Sequence, residues 1–519
     1  MKSLSFIDYV ALPRGQQIWY KISHGFVGFF LAIGRFFKGV GLGIARLFVG
    51  IGHSLKKWAL NFKIGDIWTK LSYLFLGTSQ IARKQYVKGI LILFLEAAFI
   101  VYMCVFGGQA LVNLVTLGEM RSGYMCDGDA TIYSDLNELF TGNENCFWNE
   151  TYKTLLPDNS ALMLLYGVLT ILLIIAFVFM YFKVSTGSYE LQQRKEEGRH
   201  ITTFVEDMKS FLNSKFHITL LFLPIIGVLL FSILPTLDMV LMAFTSYDMD
   251  HAYPNAVFEW VGFDNFAKLF DFGGTFSYTF GKLLSWTIVW AIFATFLNFI
   301  LGVLVATIIN KKGIKFKKFW RTCLVLSIAV PQFVSLLAIS QFLGAYGPIT
   351  ELIYRWTGTK ILFLEDVTLA RITIIVVNIW IGIPYTVLST TGILMNVPSD
   401  LYESARIDGA NAVTMYFKIT LKYIIFVMGP SLITTFIGNF NNFGVIYLLT
   451  GGGPKTNNYY AAAGKTDLLV TWLYNLTTGS YGKYNLASVI GIVIFIISAT
   501  LSLIVYRNSS SFKNEEDFA

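Results

Sequence analysis

Runs of about 20 residues with almost no charge recur along the chain, the length an α-helix needs to cross a bilayer core. In lipid every backbone N–H and C=O must find its partner inside the protein, which leaves only helices or a closed barrel. The runs are continuous and do not alternate, so a barrel is rejected. Eight spans follow: 89–111, 162–182, 218–245, 283–309, 322–344, 369–394, 423–448 and 487–506. Composition agrees. Of 519 residues 55% are hydrophobic and 14% charged, against about 25% charged in soluble domains. This argues against a disordered chain, a coiled coil and nearly any soluble enzyme. The expected fold class is an all-α polytopic membrane protein.

Flanking charge orients the spans. The first 90 residues carry 13 Lys/Arg against Asp8 and Asp66, and 311–321 (KKGIKFKKFWR) carries six basic residues and no acid. Segment 112–160 carries eight acids and only Arg121 and Lys153. Over all assigned loops the split is 30 Lys/Arg on one side to 8 on the other. The basic side is cytoplasmic, so both termini are expected there. The long basic N-terminus leads into no small-residue cleavage site, and no cleavable signal peptide is expected. The net charge of +8 then points to cytoplasmic loops and anionic lipid rather than nucleic acid.

Residues 21–57 are apolar enough to suggest a ninth span. Yet Lys21, His24, Arg35, Lys38, Arg46, His53, Lys56 and Lys57 share one helical stripe, within about 100° of one another. Arg35 and Lys38 would be costly at mid-bilayer, so an interfacial helix is favoured over a span, with a poorly ordered basic leader as the alternative. Cys104 and Cys323 fall in spans and read as packing residues. Cys126 and Cys146 share the outer loop, where a disulfide can persist; two free thiols are the alternative.

The loop joining the sixth and seventh spans, 397–422, reads VPSDLYESARIDGANAVTMYFKITLK. Pro398 and Asp400 open a helix, with Glu403 at capping-box spacing from Asp400, and Gly409 stands where a C-terminal cap belongs. A helix, a turn at Asp408-Gly409 and a second helix make a rigid knob. It can dock into another protein, or it can merely connect two spans; the residues alone leave both open. The run Glu403-Ser404-Ala405, then Asp408-Gly409-Ala410, then Ile419 and Leu421, resembles the EAA loop of ABC importer permeases. The resemblance implies a coupling helix seated in a cleft of the ATPase subunit. Ser404 replaces the family's second Ala, and Lys422 stands where the family usually has Pro.

Three further segments, 438-GNFNNFGVIYLLTGGGP-454, 464-GKTDLLV-470 and 260-WVGFDNFAKLF-270, are similar to carbohydrate-importer permeases of the MalF type. The similarity covers about 218–506, and the first 217 residues resemble that group only in adding spans. It implies a six-helix type I ABC importer permease core at 218–506 and two extra N-terminal helices with an acidic outer loop at 89–217. A basic cytoplasmic leader would occupy 1–88 and a tail 507–519. The implied partners are a second, MalG-like permease, two copies of an ABC ATPase, an extracytoplasmic sugar-binding protein and the lipid bilayer of a bacterial cytoplasmic membrane. ATP would be used by the partner subunits, with no cofactor bound by this chain. The implied cargo is maltose, maltodextrin or a similar oligosaccharide.

A sugar presents hydroxyls and apolar ring faces, so its site wants amides and aromatics with little net charge. The sixth span contains NIWIGIPY, with Asn378, Trp380, Ile381, Gly382 and Tyr385. Asn378, Ile381, Gly382 and Tyr385 share a helical face, and Gly382 with Pro384 weakens the helix at mid-membrane. In the seventh span Thr435, Gly438, Asn439 and Asn442 recur at i, i+3, i+4 and i+7. Intramembrane Asn faces protein or water rather than lipid. From the residues alone, interhelical hydrogen-bond glue is the better reading. The matching positions of MalF-type permeases line the sugar site, and that resemblance favours a site.

Other chemistries are weak. Glu96 reads as a packing or partner contact and Asp238 as snorkelling to the interface; no chain of buried acids or histidines suggests proton coupling. Ala463-Gly464-Lys465-Thr466 looks like the end of a phosphate loop, but Tyr459 stands where the required Gly belongs. Five His and four Cys do not cluster as metal ligands, so neither a metal site nor an enzyme is expected. The rivals are a permease for another polar solute, such as a glycerol phosphodiester, and a non-transporting membrane scaffold or sensor.

Overall fold

The structure, a computed structural model, describes residue 13 and residues 34–126 apart from 35–37, 40, 44 and 47. It further describes 132–133, 135, 139, 151–311, 313–478 and 481–508. Eight of its helices are long and apolar enough to cross a membrane. The chain divides into two compact units.

One unit comprises Phe37–Asn265 with Lys483–Asn485. It holds α1 (Ile67–Leu71), α2 (Thr78–Ala82), α3 (Tyr86–Thr116), α4 (Ser160–Glu196), α5 (Phe204–Leu212) and α6 (Phe216–Met242). A sheet of order β2–β1–β3 interrupts them: β1 (Met120–Cys126), β2 (Ile132–Tyr133) and β3 (Thr151–Pro157), all antiparallel. Apolar surface gains nothing by leaving lipid, so membrane helices associate through close contacts and hydrogen bonds. α3 and α4 do this at Gly167, where a Cβ would lie 2.6 Å from Leu114 Cβ. Beside it the Tyr102 and Thr170 hydroxyls are 2.8 Å apart, and the Phe99 and Phe177 rings stack at 3.9 Å. Cys126 is disulfide-bonded, while Cys146 lies outside the described residues. Cys104 and Cys323 are free and exposed, so neither packs in a core. Of the stretch 21–57, the positions before 34 lie outside the described residues; 48–64 are helical and mostly exposed.

The other unit is built on Phe266–Gly482 and Leu486–Ala519. It contains α7 (Thr275–Asn310), α8 (Lys317–Ala329), α9 (Gln332–Leu343), α10 (Pro348–Thr357) and α11 (Val367–Met395). α12 (Ser399–Ile407), α13 (Ala412–Phe440), α14 (Phe443–Thr450), α15 (Leu469–Thr478) and most of α16 (Tyr484–Asn508) follow. α7 is the spine, packed by α11 and α13. Its buried side carries Ala291, Ala294, Thr295, Asn298 and Gly302, while Ile292, Phe293, Phe296 and Ile300 are exposed. This reverses the polarity of a helix folded in water, as a lipid solvent requires. Phe299 and Val303 complete the contact against Ile424 and Met428 of α13.

Several spans differ from their expected bounds: the second runs on to Glu196 rather than 182, and the fourth begins at Thr275 rather than 283. The fifth, expected at 322–344, is broken: α8 ends at Ala329, and the apolar span is Gln332–Thr357. Val330 is extended (ψ 124°), the conformation that the ring of Pro331 imposes on its predecessor. The seventh, expected at 423–448, runs Ala412–Phe440. Asn442 ends it by turning its side chain onto the Val445 N–H at 3.1 Å, which caps a new helix, α14.

Candidate functional site

The loop between α11 and α13 forms a compact knob. α12 begins at Ser399 with Pro398 at its cap position and no side-chain cap, so the box expected between Asp400 and Glu403 does not form. Pro398 starts the helix two residues early, and Asp400 becomes a first-turn acid facing the positive end of the helix dipole. The C-terminus closes as expected at Gly409. Its N–H donates to Arg406 O at 3.0 Å, and the Ala410 N–H donates to Ala405 O at 2.8 Å. This pair of bonds requires a left-handed residue, and Gly409 supplies φ 74°. Asn411 then caps the next helix through the Thr414 N–H at 2.8 Å. The Tyr402 and Thr420 hydroxyls, 2.8 Å apart, brace the two helices together. Glu403, Ser404, Asp408 and Gly409 are exposed, Ala405 and Ala410 are half-buried, and Ile407 projects at 86% exposure.

Of the nine positions expected on the sixth and seventh spans, seven separate into two sets. Asn378, Gly382 and Asn439 turn toward protein. Asn439 Nδ2 donates to Thr295 Oγ1 at 2.9 Å, and the Asn439 carbonyl accepts the Trp290 indole N–H at 2.9 Å. Gly382 lies so close to the Asn298 amide that a Cβ there would overlap it. Asn298 Oδ1 accepts the Thr386 hydroxyl at 3.3 Å, and a Cβ at Gly302 would reach Thr386 within 2.5 Å. α7, α11 and α13 are thus joined by one buried polar seam, extended by Asn310 Nδ2 donating to Thr391 Oγ1 at 3.0 Å.

The second set is open. Trp380 is 54% exposed and Tyr385 52%. Thr435 is exposed, its hydroxyl donating to Ser431 O at 2.9 Å, and the space over Gly438 is empty. Ser431 and Thr434 are exposed on the same stripe of α13. Ile381 is half-buried between the two sets. Asn442 leaves the stripe altogether, because the helix ends before it. Trp290, Thr295, Asn298 and Thr386 were missed in the sequence. The signal was present: Thr287, Thr295 and Asn298 fall on one stripe of an otherwise apolar run.

Beyond α14 the glycine-rich motif makes a tight knot. The backbones at Gly452 and Gly464 touch, and a Cβ at either would collide. Asp467 is buried beside Gly452; its Oδ2 accepts the Gly464 N–H and its Oδ1 the Thr471 hydroxyl, both at 2.8 Å. Burial pushes its carboxyl up to about 6, and the two hydrogen bonds pull the other way. Arg371 donates to Lys465 O at 3.1 and 2.8 Å and lies over the Trp286 ring, whose N–H reaches Thr466 O at 3.2 Å. The Gly464-Lys465-Thr466 turn therefore spends its carbonyls on structure.

The remaining sequence candidates are simply placed. Glu96 accepts the Leu76 N–H at 2.7 Å. Asp238 is half-buried with Oδ1 lacking a hydrogen-bond partner. Among the described residues no His, Cys, Asp or Glu cluster could hold a metal ion.

Residues 298–512, which contain the knob, the glycine-rich knot and the seam residues of α11 and α13, match the family described as binding-protein-dependent transport system inner membrane component. The chain is 33% identical over 455 residues to the maltodextrin transport system permease protein MdxF of Bacillus subtilis, covering 85% of this chain and 95% of that protein. The chain belongs to this permease family. The permease is also 32% identical over 450 residues to the maltodextrin permease MalC of Streptococcus pneumoniae serotype 4, with 85% and 95% covered. The galactooligosaccharides permease GanP of Bacillus subtilis is 32% identical over 444 residues, with 85% and 96% covered. Matches of this length cannot fit within 218–506. The likeness therefore takes in much of the N-terminal part, which the motifs had credited only with extra spans.

Proposed function

We propose that the permease forms half of the translocation path of a carbohydrate ABC importer, carrying maltose, maltodextrin or a similar oligosaccharide. One observation carries this reading: the knob closed at Gly409 between two spans, in a chain whose relatives along most of its length are named maltodextrin permeases. The knob docks on an ATPase subunit, present in two copies, where ATP is used; the chain itself is not an enzyme and binds no cofactor. A MalG-like permease completes the path, and an extracytoplasmic sugar-binding protein delivers the cargo. Both termini are cytoplasmic, on the 30-to-8 split of basic residues between the two faces. The leader is 1–88, the added helices 89–217, the importer core 218–506 and the tail 507–519.

The open set suits the cargo. Trp380 and Tyr385 offer ring faces for stacking, and Thr435 offers a hydroxyl near the open space over Gly438. Pro384 has no N–H to give the Trp380 carbonyl, which is left free to accept from a sugar hydroxyl. Asn378, Ile381, Gly382, Asn439 and Asn442 hold the helices that present these groups. A push on the knob reaches α11 and α13 directly, and the seam carries α7 with them.

A second cargo has one observation in its favour, the galactooligosaccharides permease that matches almost as well. The test is uptake of labelled maltodextrins and galactooligosaccharides by a deletion strain carrying the wild-type or the Gly409→Asp chain. Restored maltodextrin uptake with wild type alone is expected. Neither sugar depending on the gene, or wild-type rates with Gly409→Asp, would overturn the reading.

A further inference from the structure

The segment ahead of the first span is folded inside out. In water a short segment buries its apolar side chains and exposes its polar ones. Between Asp66 and Gln85 much of the reverse holds, although Tyr73 and Leu76 are buried as well. Thr69, Ser72, Ser79, Gln80, Arg83 and Gln85 are each at most 4% exposed, whereas Ile67 is 76%, Leu74 68% and Trp68 and Phe75 50% exposed.

The buried side holds a polar network, although Gln80 Oε1 and Gln85 Oε1 have no hydrogen-bond partner. Arg83 pairs with Asp66 at 3.0 Å and also donates to Thr69 Oγ1 and to Ser79 O. The Asp66 N–H and the Thr69 hydroxyl both donate to Gln192 Oε1 of α4, at 2.8 and 3.0 Å. An ion pair this fully hydrogen-bonded is what a low-dielectric surrounding demands.

The segment also lies alongside the first span. The Leu76 N–H donates to Glu96 at 2.7 Å. Glu96 is ten residues into α3, about 15 Å along its axis. Gly77, at φ 91°, lays its backbone against Gly89 of the same helix. The N–H groups of residues 72–75 are each bonded within the segment, and that of 76 to Glu96, so five consecutive amides are satisfied without water. The exposed apolar face continues into Ile90, Leu91, Phe94 and Leu95 of α3, which are 48–68% exposed.

We propose that residues 66–85 form an elbow immersed in the bilayer without crossing it, with Ile67, Trp68, Leu71, Leu74 and Phe75 against lipid acyl chains. The exposed Lys63, Lys70 and Lys84 snorkel to the headgroups of that leaflet. The leader then ends in a membrane anchor, and Glu96 is a cap for the elbow's backbone rather than a transport group.

The test is spin-label accessibility of the full chain in phosphatidylcholine–phosphatidylglycerol nanodiscs, in a Cys104→Ser, Cys323→Ser background. Labels at Trp68→Cys and Phe75→Cys are compared with Phe94→Cys on the lipid face of α3 and with the exposed Lys195→Cys. Both test labels should match position 94, relaxing faster with oxygen than with a water-soluble nickel chelate. Behaviour like position 195 would overturn the proposal, and so would exclusion of both reagents, which means cover by protein. Hydroxyl-radical footprinting of the unsubstituted chain in the same discs needs no variant to fold. Trp68 protected relative to the unfolded chain supports the elbow; equal oxidation refutes it.

Discussion

Replacing Gly382 by Ala distinguishes packing from sugar contact with one methyl group. The added Cβ overlaps the Asn298 amide, so Asn298 must leave its position. Forcing a methyl into filled space costs about 1–3 kcal/mol. The displaced amide also gives up the Thr386 hydroxyl bond of 3.3 Å and stays buried, a further cost of about 1–3 kcal/mol. Gly382→Ala should therefore be destabilised on the order of 2–6 kcal/mol. Asn298→Ala alone should cost less, and in that background Gly382→Ala should become nearly free, because the space it needs is now empty. The double-mutant cycle should return a coupling as large as the Gly382→Ala cost itself, on the order of 2–6 kcal/mol. The assay is denaturant unfolding of the purified chain in detergent, with uptake in proteoliposomes normalised to folded protein. Additive effects, or a Gly382→Ala chain as stable as wild type, would refute the seam. Reduced transport at unchanged stability would instead put Gly382 against the cargo.

Four further outcomes follow. Asp467 is raised from 3.8 to about 6, so folding favours its protonated form. The stability it contributes is full below pH 3.8 and is lost as pH rises through about 6, on the order of 3 kcal/mol. Unfolding followed across that window should show the loss in wild type and little of it in Asp467→Asn. Tyr385→Ala should weaken sugar-stimulated ATP hydrolysis by roughly five- to 150-fold in apparent affinity at unchanged stability, the worth of one contact of 1–3 kcal/mol. Asn439→Ala should do the opposite, lowering stability through the unpaired Thr295 and leaving transport per folded molecule unchanged. A single Cys at Lys315 should be labelled only from inside the cell and one at Asn457 only from outside; the reverse would invert the orientation.

What the sequence made legible depends on the range of the physics involved. Eight apolar spans were readable because crossing lipid is a demand on 20 residues together, and no single neighbour can alter it. The knob was readable at Gly409, since a left-handed closing residue is a local need that a glycine advertises. Its start was misread: Asp400 and Glu403 have capping-box spacing, but Pro398 fixes the backbone first. The ends of the fifth and seventh spans turned on Pro331 and Asn442, single residues whose effect hydropathy averages away. The polar positions of α11 and α13 were hardest. Helical periodicity reports that Asn439 and Gly382 share a face with their neighbours, but not what covers that face. Thr295 and Asn298 cover it from a helix more than 80 residues earlier, a fact of tertiary packing. The same limit hid the elbow. Its sequence mixes Arg83, Asp66 and Gln85 with Trp68 and Phe75, which read as an ordinary basic leader. Only the fold reveals that the polar half closes on Gln192 and Glu96, leaving the apolar half outward. A segment so arranged has one solvent in which it is stable, and that solvent is lipid.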